Sequence, residues 1–272
     1  MFSNRKTSYV MSSPYLAWAV IFIIVPIGMV FYYGLTDTTG AFSFASIAAI
    51  TQPEHLKSLL LALELSIIST IICFLLAYPL GMILAGNKMS SEGILTTLII
   101  LPMWMNFLLR TLAWMTLLEN RGVINSLLTA LNLKPMRIIN TPGAIVIGMV
   151  YNFLPFMILP IYNSLAKIDE AVINAAQDLG ANKIQTFMRV TLPLTLPGII
   201  SGVTMVFIPA LTTFAISTMM GGSKILLIGN VIEQEFMLTY DWHLGSGLSL
   251  VLMVFIIVNM VVSMISEQKE GD

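Results

Sequence analysis

Charge is scarce in this chain. Lysine, arginine, aspartate and glutamate make up 10% of its 272 residues, against about 25% in an ordinary soluble domain. The formal net charge of −1 leaves no basic footprint for nucleic acid, and none is expected as a partner. Cysteine occurs once, at Cys73, which excludes an internal disulfide and a cysteine-cluster metal site; within its apolar run it reads as a small buried hydrophobe. The two histidines, His55 and His243, stand far apart with no companion at metal-ligand spacing, so no metal site is expected. Catalytic motifs are missing as well. There is no G-x-x-x-x-G-K-[ST] phosphate loop, and the "GGSK" at Gly221–Lys224 lacks its spacing. There is no G-x-S-x-G elbow, no H-E-x-x-H and no carboxylate–histidine set within the apolar runs. The chain is therefore expected to be no enzyme by itself, to carry no catalytic residues and to bind no cofactor.

What is abundant is apolar surface: 57% of residues are hydrophobic and the mean hydropathy is +0.89. Such a chain would expose far more apolar area than water tolerates, which makes it an integral membrane protein. A crossing helix needs about 20 mainly apolar residues. Six stretches meet this, at about 15–35, 59–85, 94–118, 143–165, 198–220 and 248–265. Continuous apolar runs without ten-residue alternation indicate helices and not barrel strands, so the fold class is all-α. The N-terminal run starts after Arg5 and Lys6 and lacks a small-x-small cleavage site; it reads as a retained first span. Pro26, Pro79, Pro102, Pro155, Pro160 and Pro209 punctuate the spans and are expected to kink them. With Arg5 and Lys6 inside, the C-terminal "SEQKEGD" returns inside as well. Lys88, Lys167, Lys183, Arg189 and Lys269 then fall inside, against Lys57, Arg121, Lys134, Arg137 and Lys224 outside, a weak bias in the usual direction.

Between the fourth and fifth runs lies a polar connection of about 166–197, too long for a simple turn. Asp169 suits an N-cap, with Glu170 in the first turn. Ile168, Val172, Ala175/Ala176 and Leu179 recur at the spacing of one buried helical face, and Gly180 suits the position after the helix end. A second short helix over about 183–191 puts Ile184, Phe187 and Met188 on one side, with Pro193 limiting its continuation. The outline A-x-x-L-G-x-x-x-x-T-x-x-R also fits a DNA-binding helix-turn-helix, but only Lys183 and Arg189 are there to meet phosphates. An interfacial structural loop and a docking helix for a cytoplasmic subunit are the other two readings.

The same stretch resembles the EAA loop of type I ABC importer permeases, whose pattern is E-A-A, three residues, G, nine residues, I-x-L-P. Here it runs Asn174-Ala175-Ala176, three residues, Gly180, nine residues, Val190-Thr191-Leu192-Pro193. Asn174 replaces the motif glutamate, and Glu170, one turn earlier on the same face, is the candidate to take its place. "LPMWMNFLLRTLAWMTLL", "GAIVIGMVYNFLPFMILPIYNSL", "DLGANKIQTFMRVTLPLTLPGIISG" and "GGSKILLIGNVIEQEF" are similar to the permease-B subunits of spermidine/putrescine importers. The resemblance implies a MetI-like permease fold of about six transmembrane helices in the bacterial inner membrane. It divides the chain into an N-terminal segment with the first span and outer loop (1–58), a permease core (59–265) and a cytoplasmic tail (266–272). It implies partners too: a second homologous permease, two copies of a cytoplasmic ATPase that bind ATP–Mg, an extracellular or periplasmic binding protein, and a small cationic substrate. The docking residues it implies are Glu170, Asn174, Ala175, Ala176, Gly180, Leu192 and Pro193. Because an EAA loop is cytoplasmic, both termini are expected there as well.

For a substrate path the informative residues are charges and aromatics near the membrane, since burying charge is costly. Arg110 lies in the middle of the third run, beside Trp104, Asn106 and Trp114. Glu233, Glu235 and Asp241 are interleaved with Phe236, Tyr240 and Trp242 before the last run. Carboxylates and aromatic faces suit a linear polyamine through ion pairing and cation–π contact, whereas solvated loop charges and contacts to a binding protein account for the same acids. Glu64, Glu119 and Arg121 are further charges near the outer side. Arg110 would repel a cation, and is expected to pair with an acid of this chain or of its partner. Phe214, after the kink expected at Pro209, is a candidate gate. A permease for another small solute remains an alternative, as does a self-sufficient secondary transporter, which would need coupling charges deep in several spans and an internal repeat.

Overall fold

The computed structural model describes residues 14–86, 97, 99 and 101–268. Arg5, Lys6, Lys88, Lys269, most of the first part of the third run and the end of the C-terminal tail lie outside them. Among the described residues the chain is helical, with a single isolated bridge, Thr36 to Phe42, and no strand. Four helices are long and apolar enough to cross a membrane: α1 (Pro14–Gly34), α2 (Pro53–Ala85), and two later ones, Pro142–Leu165 and Trp242–Ile265. Between α2 and the third of these come α3 (Phe107–Leu118) and α4 (Val123–Ala130). The crossing helices follow as α5 (Pro142–Leu165), the hairpin helices α6 (Glu170–Asp178) and α7 (Lys183–Leu194), and α8 (Leu196–Thr212). Then come α9 (Ala215–Gly221), α10 (Ile228–Gln234) and α11 (Trp242–Gln268).

Two expected spans are not continuous helices. In the third, a 3-10 turn at Leu101–Trp104 gives way to α3 after Asn106, whose side-chain oxygen accepts from the Leu108 and Leu109 amides at 2.9 and 3.3 Å. That cap satisfies donors that a helix start leaves open. In the fifth, α8 ends at Thr212, and α9 begins only after the extended Thr213. The helices run on through Pro79, Pro155, Pro160 and Pro209, and Pro102 lies in the 3-10 turn that interrupts the third span. Pro26 and Pro193 each follow a π-helical stretch, Val20–Ile24 and Phe187–Thr191. These contain the carbonyls of Phe22 and Arg189, four residues back, with which the proline rings would otherwise clash. The widening is why α7 continues through Pro193 instead of stopping before it.

The chain falls into two compact units: the described residues of 1–56 with Val231–Phe255, and those of 57–230 with 256–268. In the first, the end of α1 meets α11 where Gly34 lies against Leu250, and Gly247 lies against the backbone of Ser46. The His243 ring reaches the Tyr33 and Thr36 carbonyls at 3.0 and 2.7 Å. After α1 the chain turns back on Asp37, whose carboxylate accepts from the Thr39 hydroxyl and amide and from the Ala41 amide. These bonds, led by the Thr39 hydroxyl, hold the Asp37 carboxyl below the ordinary carboxylate range.

The second unit is built on α5 and α8, packed along each other. Gly198 and Gly202 make the approach possible. A Cβ on Gly198 would lie 2.3 Å from the Ser164 hydroxyl and 2.6 Å from the Pro160 carbonyl oxygen, and one on Gly202 would lie 2.8 Å from the Met157 sulfur. Small residues four apart on one helix face are a common solution in lipid, where close backbone packing replaces the hydrophobic drive. Ile145, Met149, Met157, Ile161, Val206 and Leu211 complete a fully buried core.

Candidate docking hairpin and substrate path

The hairpin is locally determined. Asp169 caps α6 by accepting from the Ala171 amide at 2.9 Å. At the other end Gly180 adopts φ +87°, the Gly180 amide donates to Gln177 and the Ala181 amide to Ala176. This paired termination needs a left-handed residue, and glycine takes that conformation without a Cβ penalty. Asn182 and Gln185 form a reciprocal capping box that starts α7, both bonds at 2.9 Å. At Thr195 the chain bends by 63° into α8. The Thr195 hydroxyl is fully buried, donates back to the Thr191 or Leu192 carbonyl, and shares a 2.8 Å bond with the Tyr78 hydroxyl of α2. The Tyr78 ring lies edge-on to Phe187. Tyr78 and Thr195, neither of which stands out in the sequence, therefore anchor the hairpin to the second span. A tyrosine facing a threonine 117 positions away leaves no periodic signal to find.

One expectation is corrected here. The apolar face of α6 read as buried is not covered by this chain: Val172 and Ala175 are exposed, and Leu179 is 90% exposed. On α7, Ile184 is 75% and Met188 55% exposed, while Phe187 turns inward. The inward side of α6 is Ile173 and Ala176. Helical periodicity identifies an apolar stripe but not the body that covers it. Glu170, Asn174, Ala175, Gly180 and Pro193 are exposed, and Ala176 and Leu192 half-buried. Glu170 and Asn174 are one turn apart on α6, and Glu170 opens onto a cavity of about 450 Å³ beside Ile168, Ile173 and Thr191.

The path candidates divide between the two units. In the larger one, Trp104 is 76% exposed, Asn106 serves as the α3 cap, and Phe214 is 44% exposed at the break after α8. Arg110 is 7% exposed. It has no acidic partner among the described residues; it donates to the Pro102 carbonyl at 2.8 Å and lies over the Tyr151 ring at 5.9 Å. Its guanidinium thus bridges the break in the third span, tying the 3-10 turn to α3. In the smaller unit, Asp241 accepts from the Leu244 amide at 2.9 Å and caps α11, and Glu235 accepts from the Thr239 hydroxyl at 2.6 Å. The Trp242 ring lies edge-on to Phe236 and tilted against Tyr33, and Glu233 is half-buried. Glu119 and Arg121 line a cavity of about 370 Å³ with Asn120, Asn140 and Met219. No group of three or more potential metal-ligating side chains occurs among the described residues.

Comparison with known proteins adds to this geometry. Residues 77–268 match the family model "Binding-protein-dependent transport system inner membrane component". The spermidine/putrescine transport system permease protein PotB of Haemophilus influenzae is 37% identical over 259 residues, covering 92% of this chain and 91% of that protein. PotB of Escherichia coli is 37% identical, covering 88% of this chain and 90% of that one. Among solved structures, a chain of a bacterial ABC transporter involved in alginate import superposes with a TM-score of 0.77 at 17% identity, covering 97% of this chain and 95% of its own. A chain of the MetNI methionine ABC transporter in an inward-facing conformation gives 0.59 at 18% identity, covering 81% of this chain and 99% of its own. Apolar crossing helices, a polar hairpin anchored between them and a family match over most of the length agree: this chain belongs to the binding-protein-dependent transport system inner membrane component family, and is a multi-pass, non-catalytic permease subunit of an ABC importer.

Proposed function

We propose that this chain pairs with a second homologous permease to form the translocation path for polyamines, and that its hairpin docks on one of two copies of a cytoplasmic ATPase. The observation that carries the docking is the bare apolar surface of α6 and α7, with Leu179 90%, Ile184 75% and Met188 55% exposed. An apolar patch on a solvent-facing hairpin calls for a partner. Glu170, Asn174, Ala175, Ala176, Gly180, Leu192 and Pro193 form or shape that surface. ATP–Mg binds to the ATPase and not to this chain. With the hairpin in the cytoplasm, both termini lie there too, 59–265 forms the permease core, and the far side receives a substrate-loaded binding protein. ATP-driven closure of the ATPases then draws the two hairpins together and turns the path outward; hydrolysis resets it.

Polyamine as substrate rests on the 37% identity to PotB across nearly the whole chain, supported by Glu233, Glu235 and Asp241 among Phe236, Tyr240 and Trp242. Arg110, a buried cation without a carboxylate partner among the described residues, favours the second reading, an anionic solute. The complex reconstituted with its ATPase, second permease and binding protein separates the two. Spermidine-loaded binding protein is expected to stimulate ATP hydrolysis several-fold and to deliver spermidine into proteoliposomes. Stimulation by an anionic solute, with none by spermidine or putrescine, would contradict the polyamine assignment.

A further inference from the structure

The residues just after the break in the fifth span are bonded to a residue outside it. α8 ends at Thr212 and α9 starts at Ala215, with Phe214 at the N-cap position and no side-chain cap there. The chain returns to this point after Lys224. Gly229 comes so near the end of α8 that a Cβ there would lie 2.8 and 3.0 Å from the Thr212 and Thr213 carbonyl oxygens. Next to it, Asn230 is 2% exposed. Its amide nitrogen donates to the Phe214 carbonyl at 3.1 Å and to the Thr218 hydroxyl at 2.8 Å. Its carbonyl oxygen accepts from the Ser217 hydroxyl and from the Leu227 amide at 3.1 Å. Two donors and two acceptor positions are the full capacity of an asparagine side chain, and every one is used. The Ser217 and Thr218 hydroxyls also lie within hydrogen-bond reach of the Phe214 carbonyl, so that single carbonyl is the hub of the cluster.

We infer that Asn230 is the positioning residue of the gate: it clasps the Thr213–Phe214 break to the 224–230 segment, so that Phe214 is held in one orientation until the break and the clasp move together. The inference rests on the importer reading above and on Phe214 serving as its gate. A buried, fully satisfied polar cluster has few alternative arrangements, because a partly satisfied one carries the cost of desolvated groups. Such a cluster suits an element that switches between two positions and not one that drifts. Only asparagine can supply both donors and both acceptors here. Aspartate keeps the shape and loses both donors, placing a carboxylate against the Phe214 carbonyl.

The test is Asn230→Asp in the assembled complex in proteoliposomes, with Ser217→Ala as a milder variant that removes one bond. Two quantities are measured per assembled complex: ATP hydrolysis without and with spermidine-loaded binding protein, and the labelling rate of Phe214→Cys by a membrane-impermeant maleimide. Asn230→Asp is expected to raise Phe214→Cys labelling in the resting complex roughly tenfold, the order expected from losing two buried hydrogen bonds. It is also expected to raise basal hydrolysis and blunt its stimulation, with Ser217→Ala intermediate. A purely structural role would lower the amount of complex but leave both per-complex quantities unchanged, and that result would overturn the inference. The labelling decides this independently of substrate: absence of spermidine stimulation in the wild-type complex would count against the polyamine reading, while unchanged labelling in Asn230→Asp would count against the clasp.

Discussion

Gly180→Trp is expected to abolish ATPase docking and uptake while leaving membrane insertion intact. Gly180 sits at φ +87° with no atom within 4 Å of where a Cβ would be built. The chain's own packing therefore does not oppose a larger side chain, and the effect arises in two other ways. A residue with a Cβ in this conformation costs about 1 kcal/mol relative to glycine, which loosens the termination of α6 made by the Gly180 and Ala181 amides. The indole itself would project beside Leu179 and Ile184, the surface proposed to enter the ATPase. Gly180→Ala separates the contributions, since it carries the backbone cost without the bulk, and is expected to keep most uptake. Surface expression, co-purification of the ATPase and spermidine uptake measured together check both variants; normal uptake with Gly180→Trp would contradict docking by this hairpin.

The second large effect is on the fold itself. Gly198→Leu places its Cβ 2.6 Å from the Pro160 backbone oxygen and 2.3 Å from the Ser164 hydroxyl. A flexible side-chain tip can move aside, but the carbonyl is part of α5, so α5 and α8 must separate. Forcing extra atoms into a close-packed interface costs typically about 1–3 kcal/mol and more when backbone must shift. Here the separation would also disturb the bend at Thr195, three residues before, and its bond to Tyr78. Gly198→Leu is expected to lower the thermal midpoint of the detergent-solubilised protein sharply and to reduce assembled complex. Gly28→Leu, on α1 with nothing within 4 Å of its Cβ position, is expected to change neither and serves as the control.

Much of the fold is legible in the apolar runs. Pro14–Gly34, Pro53–Ala85 and Pro142–Leu165 fall where hydropathy puts them, because burying or lipid-facing apolar side chains is a property of the local sequence. The hairpin's first helix is legible for the same reason: Asp169 and Gly180 act on amides and carbonyls within a few residues of themselves. The breaks are not legible. Asn230 bonds Phe214, Ser217 and Thr218 just after the end of the fifth span at Thr212 from a later segment of the chain, and no local pattern records that. Pro193 does limit its helix, which ends at Leu194 before the 63° bend, but the π-helical widening before Pro26 and Pro193 that lets the helix pass each ring leaves no signal in the sequence. The covered face of α6 is not legible because amphipathy looks alike whether the cover is the same chain or another. Arg110 shows the same limit: its partner is the main-chain carbonyl of Pro102 in the 3-10 turn, where the sequence suggested an acid.

The most direct test of the account is a cross-link from the hairpin itself. The chain's single cysteine, Cys73, is buried, so Leu179→Cys carries the one accessible thiol. In native membranes, a short thiol-reactive cross-linker on Leu179→Cys, followed by mass spectrometry of the linked species, is expected to capture a P-loop ATPase. The yield should fall when Gly180→Trp is added. Capture of no ATPase at full labelling of the thiol, with the transporter active in the same membranes, would contradict the claim that this hairpin is where the permease meets its motor.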